Sequence, residues 1–267
     1  MFIGLDLGTS HLKGIVIDDA QNICAEASFP LNVERPKNSW VEQDPNDWIV
    51  ATENVMASLS VQVKLDQVKA IGLSGQMHGA TILDQNGNVL RPCILWNDTR
   101  SFEEASYLDS KAIFRDLTGN IVFPGFTAPK IAWIKKHEPK IFDQISKVLL
   151  PKDYLRFWLS GEYVAEMSDA AGTSWLDVKK RDWSDDLLAA TGLDRNQMPR
   201  LVEGSEISGL LKGKLAAKWG LSGDVIIAGG GGDNEDAAYA PFNCTWSPES
   251  GRDYDGWIAD WGTGPAG

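Results

Sequence analysis

Long apolar runs are missing from this chain. No stretch approaches the roughly 18 residues that a membrane helix needs, so the composition points away from a membrane partner. Basic residues are short as well, with 25 Lys and Arg against 37 Asp and Glu, a net charge of −12. Nucleic acid and anionic membrane surfaces offer no cations for such a chain to pair with, and neither is expected as the main partner. Cysteine is scarce and odd in number. Cys24, Cys93 and Cys244 repeat no spacing, so no disulfide framework is implied and a reducing compartment is expected. Three histidines are too few, and too scattered among acids and thiols, for transition-metal spacing. The run Gly-x-x-x-x-Gly-Lys-Ser/Thr does not occur, which excludes a P-loop. The opening MFIGLDLG has no basic region or cleavage site of a signal peptide, so a cytoplasmic location is expected.

What is present is ordinary globular protein up to about residue 235. Apolar residues make up 43% of the 267, enough for a core without staples. The last 32 residues differ. From Asp236 to Gly267 only Phe242 and Ile258 come from the Leu, Ile, Val and Phe set, while Gly and Pro supply 8. Such a segment buries too little apolar surface to offset its ordering entropy and is expected to pack poorly.

Segments 2–7, 12–18 and 23–31 read as short strands joined by turn residues, an antiparallel meander. Asp44-Pro45 reads as a helix start, with Asp as cap and Pro in the first turn, leading into Trp48, Thr52, Val55, Met56 and Leu59. A buried strand is expected over 68–75. Segments 80–84 and 89–96 flank Gln85-Asn86-Gly87-Asn88, a hairpin signal. Helices are expected near 101–108, 110–117, 127–137 and 139–145, a strand over 147–150, and a helix from Pro151 to Gly161. A strand over 173–178, a helix capped by Ser184, and a strand from 225 running into glycines complete the reading. The order predicts an α/β fold: a mixed sheet with an N-terminal β-meander and flanking helices. The meander argues against a dinucleotide-binding fold, which opens strand–helix–strand.

Three loops could carry chemistry. In Asp6-Leu7-Gly8-Thr9-Ser10, Gly8 permits a tight turn and the following amides can form an anion-binding concavity. Thr9 and Ser10 add hydroxyls, Lys13 adds a positive charge, and Asp6 could hold magnesium through water. An ordinary turn explains the same residues about as well. In Gly229-Gly230-Gly231-Gly232-Asp233-Asn234, four glycines give a ligand room, and an ionised Asp233 could take a proton from a hydroxyl. A flexible linker is the plainer explanation. In Ser74-Gly75-Gln76-Met77-His78-Gly79, Gln76 and His78 offer donors and acceptors at a strand end, although a lone histidine is more often structural.

Together and in this order the motifs are specific. The turn Asp6 to Ser10 resembles the first phosphate motif of the actin and hexokinase ATPase superfamily. GLSGQMHGATILD (72–84), PCILWNDTRS (92–101), FPGFTAPKIAWIKKHEP (123–139), LLPKDYLRFWLSGEY (149–163), MSDAAGTSWLDVKKRDWS (167–184) and AGGGGDN (228–234) resemble the FGGY carbohydrate kinase family. The resemblance covers residues 1–235 and implies a ribonuclease H-like domain. It implies ATP and Mg²⁺, with Asp233 as catalytic base and Asp6 as a carboxylate near metal and phosphates. Gly8, Thr9, Ser10 and Lys13 would face the ATP phosphates. Gln76, Met77, His78 and Asn234 would face the sugar, with Trp96, Asn97, Asp98 and Arg100 close by. The loop Gln76 to Gly79 implies D-xylulose as the sugar, over glycerol and ribulose. Another ketose, a sugar acid, and a non-catalytic sugar-binding module remain alternatives, and a homodimer is left open. The family's second, ATP-binding domain is expected to be absent, with residues 236–267 unrelated to the family, so the short chain by itself is expected to be inactive.

Overall fold

The computed structural model describes residues 1–233. The expected tail and Asn234 lie outside the described residues.

The meander forms as the alternation predicts. Strands β1 (Phe2–Leu7), β2 (His11–Ile17) and β3 (Ile23–Pro30) pair antiparallel in sequence order. Ile3, Leu5 and Leu7 of β1 and Leu12 and Val16 of β2 are buried, and the residues between them are more exposed. A period of two thus gives the sheet one apolar face. The two-residue strand β4 (Glu42–Gln43) precedes helix α1 (Pro45–Gln62). Asp44 caps α1 by accepting the Asn46 amide at 2.9 Å, and Pro45 fills the first turn, where a missing N–H is harmless. Trp48, Val55, Met56 and Leu59 of α1 lie in the sheet's apolar core.

Strand β5 (Ala70–Gly75) returns parallel to β1. Around the hairpin signal the structure differs from expectation. The turn exists: Asp84 accepts the amides of Asn86 and Asn88, and single bridges join Leu83 to Val89 and Ala80 to Ile94. The regular pairing goes elsewhere, because β6 (Thr81–Leu83) pairs with the later β8 (Lys147–Leu149) and β7 (Cys93–Ile94) pairs with β4. Burial of Ile82 and Ile94 among the following helices outweighs the local turn.

Those helices are α2 (Phe102–Asp109), α3 (Ala112–Thr118), α4 (Thr127–His137) and α5 (Pro139–Phe142), close to the expected segments. Helix α6 (Pro151–Ser160) ends at Gly161. Next come β9 (Val164–Glu166) and the short helix α7 (Met167–Ala171), neither visible in the pattern. The strand expected over 173–178 shrinks to β10 (Leu176–Asp177), paired with β11 (Asp182–Trp183). Helix α8 (Asp185–Thr191) is capped by Ser184 as expected. Then β12 (Arg200–Val202) pairs parallel with β9, and β13 (Ile207–Leu210) and helix α9 (Gly213–Trp219) follow. The described chain closes with β14 (Ile226–Ala228) and β15 (Gly231–Gly232).

The main sheet runs β13-β14-β5-β1-β2-β3, with β15 continuing on β5 beyond β14. Core residues from α1, α6 and α9 pack on its apolar face. A second apolar cluster, built from α2, α3, α4, α8 and the short strands, contains Trp133, Trp175 and Trp183.

Replacing Asp44 by Ala should lower stability by about 1 kcal/mol, the usual loss on removing an N-cap. Denaturant unfolding of the chain checks this, and a change in midpoint without a change in slope is expected.

Candidate active site

Register brings the three loops together. Leu7 of β1 stands opposite Gly75 of β5, and Gly75 stands opposite Gly232 of β15, all in parallel strands. The next residues, Gly8, Gln76 and Asp233, therefore leave one edge of the sheet side by side. Neighbouring strands lie about 4.8 Å apart, so the three chain exits span on the order of 10 Å. This carboxyl edge is where α/β sheets hold ligands. Asp233 is exposed there. One row back, Lys13, Asp6, Ser74 and Gly231 are cross-strand neighbours in that order. Alternation places this row on the face opposite Leu5 and Leu7, so Asp6 and Lys13 point away from α1.

The first turn is fixed from beneath. Thr9 Oγ1 donates to Gln76 Oε1 at 3.3 Å and accepts from Trp96 Nε1 at 3.0 Å. The Thr9 carbonyl accepts from Gln43 Nε2 at 2.6 Å. Gln76 Nε2 donates to Gln43 Oε1 at 2.8 Å, which also accepts from Trp48 Nε1 at 3.1 Å. The Gln76 amide donates to the Leu7 carbonyl at 2.8 Å. Gln76 is 1% exposed, with both ends of its side chain engaged. It sits under the phosphate-type turn and holds it. Gln43 was not foreseen, because a polar pair before a helix cap reads as a solvated loop. Ser10 remains exposed, 3.2 Å from His11 Nδ1.

His78 is held from three sides. Its φ is +65°, a left-handed conformation uncommon for residues with a side chain. Its carbonyl accepts from Lys130 Nζ at 2.8 Å and Thr127 Oγ1 at 3.2 Å. Lys130 is wholly buried and also donates to the Gly125 carbonyl. The His78 ring packs on Phe126 at 4.6 Å, and its Nδ1 lies 2.8 Å from the Gly172 carbonyl. A Cβ on Gly172 would lie 2.5 Å from His78 Cε1, so this approach needs glycine. A carbonyl only accepts, so Nδ1 carries the proton and Nε2 is an acceptor. Burial, and then the charge of Lys130, push the His78 pKa down to about 4, and burial brings Lys130 down to about 7. The ring is neutral at pH 7. Met77 beside it is buried.

The segment 96–100 divides in two. Trp96 is 48% exposed and reaches the turn through its hydrogen bond to Thr9. Asn97 Oδ1 is buried with no hydrogen-bond partner among the described residues. Asp98 and Arg100 turn inward. They pair at 2.6 Å, Asp98 accepts the Val41 amide, and Arg100 lies on the Trp40 ring at 3.8 Å and pairs with Glu42 at 2.6 Å. They build the wall behind the site.

Among the described residues no group of three or more His, Cys, Asp or Glu side chains could by itself hold a metal. Asp6 is a single carboxylate beside a turn. That donor set suits Mg²⁺ arriving on a polyphosphate, since this ion keeps several waters and takes one or two carboxylates.

Acid stability reports the His78 environment. In the unfolded chain a histidine titrates near 6.5, and in the fold His78 titrates at about 4. Protonation therefore favours the unfolded chain, and this contribution to stability is lost as pH falls from about 6.5 to about 4. His78→Asn, which tolerates the left-handed backbone, should flatten the loss. Melting temperatures at pH 7 and pH 5 check it, and equal acid sensitivity in both proteins would refute it.

The geometry has close counterparts among known proteins. The model for the FGGY family of carbohydrate kinases, N-terminal domain, matches residues 1–240. The xylulose kinase of Escherichia coli strain K12 is 53% identical over 232 residues, covering 86% of this chain and 48% of that protein. The xylulose kinase of Lactococcus lactis is 40% identical over 240 residues, with coverage of 88% and 48%. A solved xyloylose kinase from Brucella ovis superposes with a TM-score of 0.85 at 57% identity, over 87% of this chain and 48% of the other. A xylulose kinase from Rhodospirillum rubrum gives a TM-score of 0.84 at 29% identity, over 88% and 49%. The chain spans about half the length of the curated relatives it matches. On its motifs, its strand register and these likenesses, the chain belongs to the FGGY family of carbohydrate kinases and corresponds to that family's N-terminal domain.

Proposed function

We propose that this domain is the sugar-holding half of a kinase that transfers the γ-phosphoryl group of ATP to D-xylulose, giving D-xylulose 5-phosphate and ADP. The alignment of Gly8, Gln76 and Asp233 at one sheet edge carries the reading. The names of the relatives support the sugar. Asp233 is the base. Its carboxylate accepts the hydroxyl proton as the sugar oxygen bonds to phosphorus and ADP leaves. Met77 and His78 hold the sugar, with His78 Nε2 accepting from a hydroxyl. Gln76 acts from beneath by fixing the turn. Asn234, next to the base, joins the sugar side. Gly8, Thr9, Ser10 and Lys13 face the phosphates of ATP, and Asp6 would hold Mg²⁺ through water. When bound with ATP, the ion neutralises charge on the phosphate oxygens. A cytoplasmic location, where ATP is made, belongs to the same reading.

The neutral His78 ring favours a neutral sugar over a sugar acid. Lys130 and Arg100, the buried basic groups behind the site, are already engaged by carbonyls and carboxylates.

A hybrid tests the proposal. Residues 1–233 replace the corresponding part of the Escherichia coli relative, and ADP release is measured with D-xylulose, D-ribulose, glycerol and gluconate. D-xylulose should give the highest kcat/KM. Asp233→Asn in the hybrid should lower kcat by roughly 10²–10⁴-fold, with much less change in the sugar KM. Turnover close to the parent's would remove Asp233 from the role of base.

A further inference from the structure

Behind the glycine loop lies a group of charges that the proposed chemistry does not use. Lys152, Asp153 and Arg156 of α6 and Asp169 of α7 have no exposed side-chain surface. Lys152 Nζ lies 3.0 Å from Asp153 Oδ1 and 3.1 Å from Asp169 Oδ2, and Arg156 Nη2 lies 3.4 Å from the same Asp153 oxygen. Burying four ionisable side chains is costly, and well-packed apolar residues often serve stability as well or better. Their geometry suggests another use.

Arg156 reaches out of the group to the loop. Its Nη1 donates to the Ala228 carbonyl at 3.0 Å and its Nη2 to the Gly229 carbonyl at 2.6 Å. The loop amides are taken from the other side, Gly229 by the Glu206 carbonyl at 2.8 Å and Gly230 by the Gly204 carbonyl at 2.9 Å. Gly230 has φ +72°, and a Cβ there would run into the Leu73 carbonyl of β5. Only after this pinned bend does β15 pair with Ser74 and Gly75 and deliver Asp233 to the edge. The opposite end of the group reaches the other half of the site. Asp169 belongs to α7, and Gly172 at the end of α7 accepts His78 Nδ1.

We propose that Arg156 is a positioning residue, and that the Lys152–Asp153–Arg156–Asp169 group is a brace. It sets the loop that carries Asp233 against the helix that holds His78. The assignment rests on the proposed sugar site for its consequence, though not for its geometry. The two Nη groups of Arg156 each take one of two successive carbonyls, and the planar guanidinium fixes their spacing in a way that the single, flexible Nζ of a lysine does not reproduce. Displacement of a reacting group by about 1 Å costs on the order of 10²-fold. A brace that removes such freedom therefore matters more to the site than to the stability of the sheet.

Two variants of the 267-residue chain test this. Arg156→Lys keeps the buried charge but loses the fork. Asp153→Asn combined with Arg156→Gln removes one charge of each sign. Amide hydrogen exchange and calorimetric binding of D-xylulose are measured on both and on the parent. Exchange at 229–232 should accelerate by at least about tenfold while β1, β2 and α1 keep their protection. D-xylulose affinity should fall by at least about tenfold, least in the Lys variant. Parent-like exchange at 229–232 in both variants would overturn the proposal. Loss of protection throughout the sheet in both would also overturn it, by making the group a stability element. If the parent chain binds no D-xylulose, the sugar assignment fails, and the exchange data alone decide the brace.

Discussion

Strand β5 is paired on both edges, and the site depends on that pairing. On one side it holds β1 from Phe2–Ala70 to Leu7–Gly75, and on the other it holds first β14 and then β15. Side chains alternate along a strand, so a slip of one residue would exchange the faces. Asp6 would then turn toward Trp48 and Val55, and Leu5 and Leu7 would turn outward. The burial of Ile3, Leu5, Leu7, Ile71 and Leu73 in the core that α1 and α6 complete thus fixes more than stability. It sets which residues emerge together at the carboxyl edge. The candidate site takes its accuracy from a hydrophobic core that contains none of its functional groups.

A second constraint is the short strand β4. Its two residues send side chains to opposite sides, as a strand must. Gln43 goes to Gln76, Thr9 and Trp48, and Glu42 goes to Arg91 and Arg100. Arg100 lies against the Trp40 and Trp133 rings, at 3.8 and 5.1 Å from their centres. Two adjacent residues therefore join the phosphate-type turn to the helical half of the domain. Both side chains are nearly inaccessible to water, which is tolerable because each polar group meets a partner. Truncating either one would leave several buried donors unpaired at once.

What the sequence made legible follows from how local the signals are. The meander, the Asp44 cap, the run of α1 and the stop at Gly161 rest on turn chemistry and periodicity within a few residues. The strands β1, β5 and β14 were equally readable, and so was the turn at Gly8, whereas β15, which carries Asp233 to the edge, reads in the sequence as a glycine loop. The misses rest on distant partners. β6 (Thr81–Leu83) found the distant β8 (Lys147–Leu149) rather than its hairpin neighbour, and β9 and β12 are three-residue strands that exist through each other. α7 begins because Glu166 accepts the amides of Ser168 and Asp169, a cap supplied by a residue type that sequence pattern reads as solvated. The same habit hid Gln43, Lys130 and Arg156. A charge or amide in the sequence does not reveal that its partner is a backbone carbonyl tens of residues away.

His78 shows why such a site is built rigidly. A left-handed, half-buried histidine is unfavourable twice over, once for its backbone and once for its partly desolvated ring. Lys130 and Thr127 on its carbonyl, and Gly172 on its ring, offset part of that cost. The result is a neutral imidazole with one fixed acceptor, Nε2. On the proposed reading the sugar meets two acceptors, this nitrogen and the Asp233 carboxylate. A polyol suits that pair, because each hydroxyl has a proton to donate. An imidazole titrating at about 4 holds a hydroxyl without keeping its proton at neutral pH. On the proposed reading the hydroxyl at His78 is oriented there, and proton removal is left to the carboxylate at the end of β15. On that reading, selection of one hydroxyl for transfer follows from where β15 ends and delivers Asp233.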